Sequence, residues 1–401
     1  MGNLARGSVV ELISGPQVWM ESEATRQLEQ VAAWTGCERA VGLPDLHPGR
    51  GSPVGAAFQF RAVVHPSLIG SDAGCGAHLT VVRKASAHGA NLVRRADQHY
   101  GEALAIGDRR RLFEVAWEEG PRGLLELPGL PEGLMALAAL APMDRGLKSG
   151  PPPLALTGGD SLGTIGGGNH FAELSQVGQV SPHPLTQQLG LERGHSAVLV
   201  HSGSRGLGAA LHHEWGNKAC EGPSIEVYLA VLAGAVRWAR TNRLLLTYRG
   251  LLALGAARAD RIVSDLDVVH NGVEAEGELY LHRKGAAPAE AGAPTLLLGS
   301  RGAPSYLLAG CGRTRSLCSS AHGAGRKMTR AEARAKLKDK YLRKSLARTR
   351  LGSEVLVDDP ELLYEEHPDA YKPIAPIVES LVQSGVAEVV AELLPKVTVK
   401  R

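Results

Sequence analysis

The chain ends five turns or apolar runs on a side chain able to hold a metal ion or a phosphate. They are Asp72-Ala73-Gly74-Cys75, Gly166-Gly167-Gly168-Asn169-His170, His201-Ser202-Gly203-Ser204-Arg205-Gly206, His270-Asn271 and His322-Gly323-Ala324-Gly325-Arg326. The last sets a histidine beside bare backbone with a cation four residues on, an arrangement suited to phosphate, and imidazole can relay a proton or itself attack phosphorus. Taken alone, the same pentapeptide reads equally well as a helix N-terminus capped by a histidine. In the other four, Asp72, Cys75, His170, His201 and His270 make a ligand set for two adjacent divalent transition metals, with the thiolate able to bridge. Any one of these histidines by itself is better read as a satisfied core or loop residue. Four such segments in one chain favour the metal reading. Softness leaves zinc, iron, cobalt and manganese all open. Two metals beside a nucleophilic histidine and several arginines point to a reaction at phosphorus.

The elements that position these residues follow from pattern. The β-prone segments Ala56 to Val64 and Ala77 to Val82 flank the turn Gly70 to Gly76, and Ala197 to Val200 reads as a buried strand delivering His201. Ile262 to Val269 leads into His270-Asn271, while Thr295 to Leu298 and Tyr306 to Ala309 are short strands around a Gly-rich turn. Glu21 to Trp34 is an amphipathic helix with acidic residues in its first turn, and Ile225 to Arg240 is a second, with Tyr228, Leu229, Leu232 and Val236 inward. Gly42 to Gly55 reads as a Gly/Pro-rich loop, and Gly120 to Pro153 as a loosely helical surface excursion. No repeat is visible. The candidate residues are scattered from Asp72 to the C-terminus, which predicts one interleaved domain over residues 1–401.

Composition sets bounds. With 49 glycines and 4% aromatics in 401 residues, function is expected in backbone-lined loops. A net charge of +3 does not argue for nucleic-acid binding, but it is unevenly spread. Between Arg326 and Arg350 eleven Lys and Arg residues face only Glu332 and Asp339. That run is either a solvated helix face or a track for a phosphate backbone beginning beside His322. The five cysteines are scattered without CxxC spacing, so neither a disulfide framework nor a zinc ribbon is expected and a reducing cytoplasm fits. No signal peptide, myristoylation pattern or membrane-spanning run is read.

At this level of detail the sequence resembles the RtcB family of RNA ligases. The resemblance is carried by Leu43-Pro44-Asp45-Leu46-His47-Pro48-Gly49-Arg50-Gly51, Asp72 to Gly76, Gly166 to Phe171 with Glu173, His201 to Gly208, Ala239-Arg240-Thr241-Asn242-Arg243, His270-Asn271, His282-Arg283-Lys284-Gly285-Ala286 and His322 to Arg326. It covers nearly the whole chain. It implies a single α/β (α+β complex) domain of the RtcB type with a dinuclear metal site in a central cleft. The implied activity is joining of RNA 3′-phosphate or 2′,3′-cyclic phosphate ends to 5′-hydroxyl ends, dependent on GTP and two Mn²⁺, in RNA repair or tRNA processing. By the same resemblance His322 is the nucleophile that carries GMP, and Asp72, Cys75, His170, His201 and His270 hold the metals with Cys75 as bridge. Nucleotide contacts are implied for Asn169, His170, Phe171, Ala172 and Glu173, for His270 and Asn271, for Leu298, Gly299, Ser300, Arg301 and Ser305, and for His322, Gly323, Ala324 and Gly325, with Lys400 reaching the guanine. Arg205 and Arg326 are the candidates for gripping RNA phosphates. A monomer is expected, with an archease-type activator or a release-factor-like protein as partner.

The chain departs from the family pattern at a few positions. Leu298-Gly299-Ser300-Arg301-Gly302 stands where Pro-Gly-Ser-Met-Gly is common, Ala73 replaces a larger aliphatic residue, and the chain ends Val399-Lys400-Arg401. No ligand and no nucleophile is lost. A dinuclear phosphoesterase that acts on RNA ends without productive guanylylation is the alternative reading, and an RNA-end binding protein with a structural metal is a third.

Overall fold

A computed structural model describes residues 8–104, 106–144, 146–153 and 161–401. Two twisted sheets meet where one strand passes between them. The larger runs in the order Pro294–Leu297, Ser305–Gly310, Ala387–Lys400, Phe171–Val180, Ser196–Ser202, Gly76–Val82, Ile262–Val269, with Glu354–Val357 alongside Ala387–Lys400. The smaller runs Val9–Leu12, Cys37–His47, Val54–Arg61, Leu279–Lys284, Asn271–Glu276. Only the pairings of Val9–Leu12 and Glu354–Val357 are parallel; the rest of both sheets is antiparallel, the α+β form of the expected class. His270 is the residue at which the chain leaves the larger sheet for the smaller.

Gly76–Val82 is buried at every position, because both of its faces are covered. One cover is the helix Pro223–Leu254, which starts on a proline in its first turn and stops at Gly255 with φ +66. Gly250 lets this helix lie on the sheet, since a Cβ there would stand 2.5 Å from a Val198 methyl. The helix extends well past the Arg240 limit read from its amphipathic pattern. Beyond that point it is buried on nearly all sides, so the apolar stripe that periodicity detects disappears.

Two other expectations are corrected. Gly42 to His47 belongs to the strand Cys37–His47 and Val54 and Gly55 to the strand Val54–Arg61, so only Pro48 to Pro53 form the loop. Within Gly120 to Pro153 lie the 3-10 turn Pro121–Glu126 and the helix Glu132–Leu140, whose Leu124, Leu134, Leu137 and Ala138 enter the main core. The segment is therefore not a surface excursion. The surrounding glycines and prolines obscure its Leu spacing, yet Gly133 is a close-approach site: a Cβ there would meet Ala257 O at 2.3 Å.

Candidate active site

Register brings the five ligand candidates together. In the larger sheet Phe171 pairs with His201, Gly76 with Ser202 and Gly76 with Val269. Cys75 and His170 therefore precede their strands, and His201 and His270 lie at the ends of theirs, all on one edge of four adjacent antiparallel strands. Cys75 Sγ lies 3.5 Å from His170 Nε2 and 3.3 Å from His201 Nε2. His201 Nε2 is 3.2 Å from His270 Nε2, and His170 Nε2 is 3.1 Å from Asp72 Oδ2. The atoms fall into two triads, Cys75-His201-His270 and Asp72-Cys75-His170, with the thiol common to both.

The electrostatics of this cluster suit cations. Burial and the neighbouring imidazoles push His201 and His270 well below the ordinary histidine range, so both rings are neutral. Burial would raise Asp72, but His170 outweighs it and holds the carboxyl down at about 2. Neutral imidazole nitrogens, a sulfur and a carboxylate oxygen turned toward one another, with the charged Asp72 as the fixed anion, are a donor set that divalent transition metals fit.

Behind the ligands stands Arg243, fully buried in the long helix. Its Nη1 donates to Gly74 O at 2.7 Å and Ser202 O at 2.8 Å, tying the Cys75 turn to the His201 strand. Its Nε and Nη2 form a two-pronged pair with Asp267, at 2.6 and 2.8 Å. Asn271 fixes the other side through Nδ2 to Ile69 O and Asp72 O, at 2.8 and 2.7 Å. Below Asp267, His78 donates to Asp265 at 2.8 Å; burial opposes its charge, but the two aspartates prevail and raise it to about 9.

His322 follows the strand Ser319–Ala321 directly, and the next helix begins only at Arg330. The helix-cap reading is thus excluded. The imidazole packs on His270 with ring centroids 4.8 Å apart, which sets it beside the ligand cluster. Its Nδ1 meets Asp45 Oδ2 at 2.6 Å, and its backbone N–H donates to the same oxygen at 3.2 Å. With the carboxylate holding the proton on Nδ1, Nε2 carries the free lone pair. Asp45 is fully buried. Gly325, at φ +67, allows the approach, because a Cβ there would stand 2.3 Å from Asp45 O. Asp45 lies in one of the segments of the family resemblance, but sequence reasoning gave it no role. The available signal was a lone carboxylate within the apolar stretch Ala40 to Leu46.

A cleft of about 980 Å³ opens onto these groups, lined by Asp72, Cys75, His201, His270 and His322 at one side and by Phe171, Glu173, Arg301 and Lys400 among others. The loop after Leu298 is fixed to the histidine segment: Leu298 N donates to His322 O at 2.9 Å and Ala324 N to Leu298 O at 3.0 Å. Asn169, Asn271, Leu298, Gly299, Ser300, Gly323, Ala324 and Gly325 also line the cleft. His170, Ala172 and Ser305 do not. Strand alternation turns the Ala172 side chain into the core behind the sheet, and Ser305 Oγ instead accepts the Gly299 N–H at 2.9 Å. Lys400 donates to Gly168 O and His170 O, both at 2.9 Å, and burial brings its ammonium down to about 8. Burial raises Glu173 to about 7 against its bonds to Thr398 and Ser175.

The two arginines differ. Arg205 sits at φ +58, a strained conformation for a residue with a Cβ, with its Nε buried and unpartnered among the described residues and its guanidinium over Gly166 near Asp72. Arg326 is already engaged: it donates to Glu366 and Tyr371 at 3.0 Å each, Glu365 O at 2.7 Å and Met328 O at 3.0 Å. That leaves little of its fork for an RNA phosphate. The basic run is also neutralised in part. Arg330 pairs with Glu366, Arg334 and Lys338 with Glu361, and Lys340 with Asp369. Among the described residues no ion pair involves Lys327, Lys336, Arg343, Lys344 or Arg350.

Comparison with known proteins agrees with this geometry. A family model described as tRNA-splicing ligase RtcB matches residues 27–107 and 153–401. The RNA-splicing ligase RtcB2 of Escherichia coli is 35% identical, the alignment covering 100% of this chain and 98% of that protein. The RNA-splicing ligase RtcB of Mycobacterium tuberculosis is 31% identical over 93% of this chain and 100% of its own length, and the tRNA-splicing ligase RtcB of Archaeoglobus fulgidus is 28% identical over 94% and 90%. Similarity that runs the length of both partners, on a chain whose four strand ends gather one thiol, one carboxylate and three imidazoles beside a fourth histidine, places the protein in the RtcB family.

Proposed function

We propose that the protein is an RNA ligase that joins 3′-phosphate or 2′,3′-cyclic phosphate ends to 5′-hydroxyl ends, using GTP and two divalent metals of which Mn²⁺ is the expected species. The observation that carries the reading is the placement of His322, oriented by Asp45 through Nδ1 and packed against the His270 ring of the ligand cluster. Asp72, Cys75, His170, His201 and His270 would hold the metals, with Cys75 shared. Bound there, they would neutralise phosphate charge and align the attacking and leaving groups.

The chain's own residues supply the rest. Asp45 keeps the proton on Nδ1, so that Nε2 attacks the α-phosphorus of GTP; the P–N bond forms as the P–O bond to pyrophosphate breaks. The histidine then passes GMP to an RNA 3′-phosphate oxygen, and attack by the 5′-hydroxyl closes the RNA backbone with release of GMP. A cyclic end is first opened by water. Arg205, whose buried Nε has no partner among the described residues and whose charge is supported by Asp72, would receive the RNA phosphate. Lys400, Phe171, Glu173 and the Leu298 to Arg301 loop would hold the nucleoside. Residues 1–401 act as one domain in this reading, a cytoplasmic monomer is expected, and an archease-type activator or a release-factor-like partner fits the same activity.

The test is an end-joining reaction with one RNA bearing a 2′,3′-cyclic phosphate and a second bearing a 5′-hydroxyl, with GTP and Mn²⁺. A joined product that is lost in Cys75→Ala and His322→Ala supports the proposal. Opening of the cyclic phosphate without GTP-dependent joining would favour the phosphoesterase reading, and retention of RNA binding with neither reaction would favour a binding protein.

A further inference from the structure

The cleft wall away from the ligand cluster carries more positive charge than it balances internally. Glu366 is buried and serves Arg326 at 3.0 Å, Arg330 at 3.4 Å and Lys400 at 3.9 Å, while Tyr371 donates to its other oxygen. Arg301 adds another cation to the same group. It is only 5% exposed, and burial brings it down to about 10 while the Glu366 charge supports it. One terminal nitrogen, Nη2, donates to Leu363 O; the other, Nη1, is buried with no acceptor among the described residues.

A buried guanidinium nitrogen left without an acceptor is destabilising. The fold nevertheless holds it firmly. Ser300 and Ala303 close a turn around it, Ser305 Oγ clamps Gly299, and Leu298 is bonded on both sides to the His322 segment. Lys400 lines the same cleft, its ammonium bonded to Gly168 O and His170 O and lying 5.9 Å from the Phe171 ring centroid, and the Arg301 charge adds to its own there. Glu173, the carboxylate on the neighbouring strand, accepts one bond on each oxygen, from Ser175 and Thr398. A ligand group seated against Arg301 must bring acceptors, and a planar donor fork matches a planar edge carrying two of them.

We propose that Arg301 is a specificity-determining residue that reads the O6/N7 edge of a guanine base and rejects adenine, whose N6 amino group would set a donor against a donor. The inference rests on the nucleotide reading above, in which Lys400 meets the base. It goes beyond that reading by assigning base selection to a residue at which this chain departs from the thioether common in the family.

The experiment measures equilibrium binding of GMP, AMP and 7-deaza-GMP to the full-length, Mn²⁺-loaded protein, for wild type, Arg301→Met and Arg301→Lys. Methionine suits the site in volume and removes the fork; lysine keeps the charge, and thermal melts report whether each variant is folded. Wild type is expected to favour GMP over AMP and over 7-deaza-GMP, and Arg301→Met to lose roughly 10- to 100-fold of the GMP/AMP ratio and all discrimination against 7-deaza-GMP. Arg301→Lys should lose part of both. An unchanged GMP/AMP ratio in a folded variant would overturn the assignment, as would an equal loss for GMP and AMP, which would mark Arg301 as a phosphate contact. Wild type that binds none of the three but joins RNA with GTP would overturn the base assignment alone; wild type that neither binds nucleotide nor joins RNA would overturn the nucleotide reading with it.

Discussion

Replacing Asp45 by asparagine removes one charge and leaves the shape of the site intact, which makes it a clean probe of how His322 is prepared. The carboxylate is fully buried, accepts from Nδ1 at 2.6 Å and from the His322 backbone N–H at 3.2 Å, and its other oxygen has no partner among the described residues. No solvent screens it. A hydrogen bond to a charged group in such a setting contributes about 1.5–3 kcal/mol, so losing the charge should slow formation of a GMP adduct by about 10- to 150-fold. The asparagine can also present its amide N–H₂ to Nδ1, which would put the proton on Nε2 and silence the nucleophile further. The assay is single-turnover labelling of the protein with α-labelled GTP and Mn²⁺, read beside metal content and melting temperature. Unchanged metal content with a slowed adduct is the expected pattern. A folded Asp45→Asn protein that labels at the wild-type rate would refute the idea that this carboxylate sets the tautomer.

Further outcomes follow from neighbouring features. Arg243→Met leaves Asp267 with only Arg240 at 3.3 Å and His78 at 3.5 Å and frees Gly74 O and Ser202 O, so it should cost about 1–3 kcal/mol of stability and lower Mn²⁺ affinity by about 10- to 100-fold, measured by denaturant unfolding and metal titration. His78 is raised to about 9 by Asp265 and Asp267, above its unfolded value of about 6.5. Its contribution is therefore complete below about pH 6.5 and is lost as pH rises through about 9; a melting temperature that falls over that window in wild type, and less in His78→Gln, is the expected result. Lys336, Arg343 and Lys344 hold no ion pair among the described residues, so reversing their charge should flatten the slope of log RNA affinity against log salt. The expected change is up to about 0.7–0.9 for each RNA phosphate that is no longer neutralised. Reversing Lys338 and Lys340 should instead cost stability, because they pair with Glu361 and Asp369 at 2.8 Å.

The parts of the site that were legible in the sequence share a local signal. Asp72, Cys75, His170, His201 and His270 each end a turn or a buried apolar run, and strand register then carries them to one sheet edge. What was not legible depended on partners far away in the chain. Asp45 acts on a histidine 277 residues later, and a carboxylate in the apolar stretch around Leu43-Pro44-Asp45-Leu46 does not show which residue that is. Arg243 lies in a helix whose second half is buried all round, where amphipathic pattern vanishes. The basic run from Arg326 to Arg350 looked unbalanced because its counter-charges, Glu361, Glu365, Glu366 and Asp369, arrive from a later segment. Charge counted along the sequence could not see a neutralisation made in space.

The central claim is that His322 Nε2 carries GMP. The most direct measurement is peptide mapping by mass spectrometry of the protein incubated with GTP and Mn²⁺ in the absence of RNA, kept above the acid range in which a phosphoramidate hydrolyses. A guanylyl group on the peptide containing His322, absent from His322→Ala and discharged when RNA with a 3′-phosphate is added, is the predicted result. RNA joining by a protein that shows no adduct at His322, or an adduct that persists in His322→Ala, would contradict it.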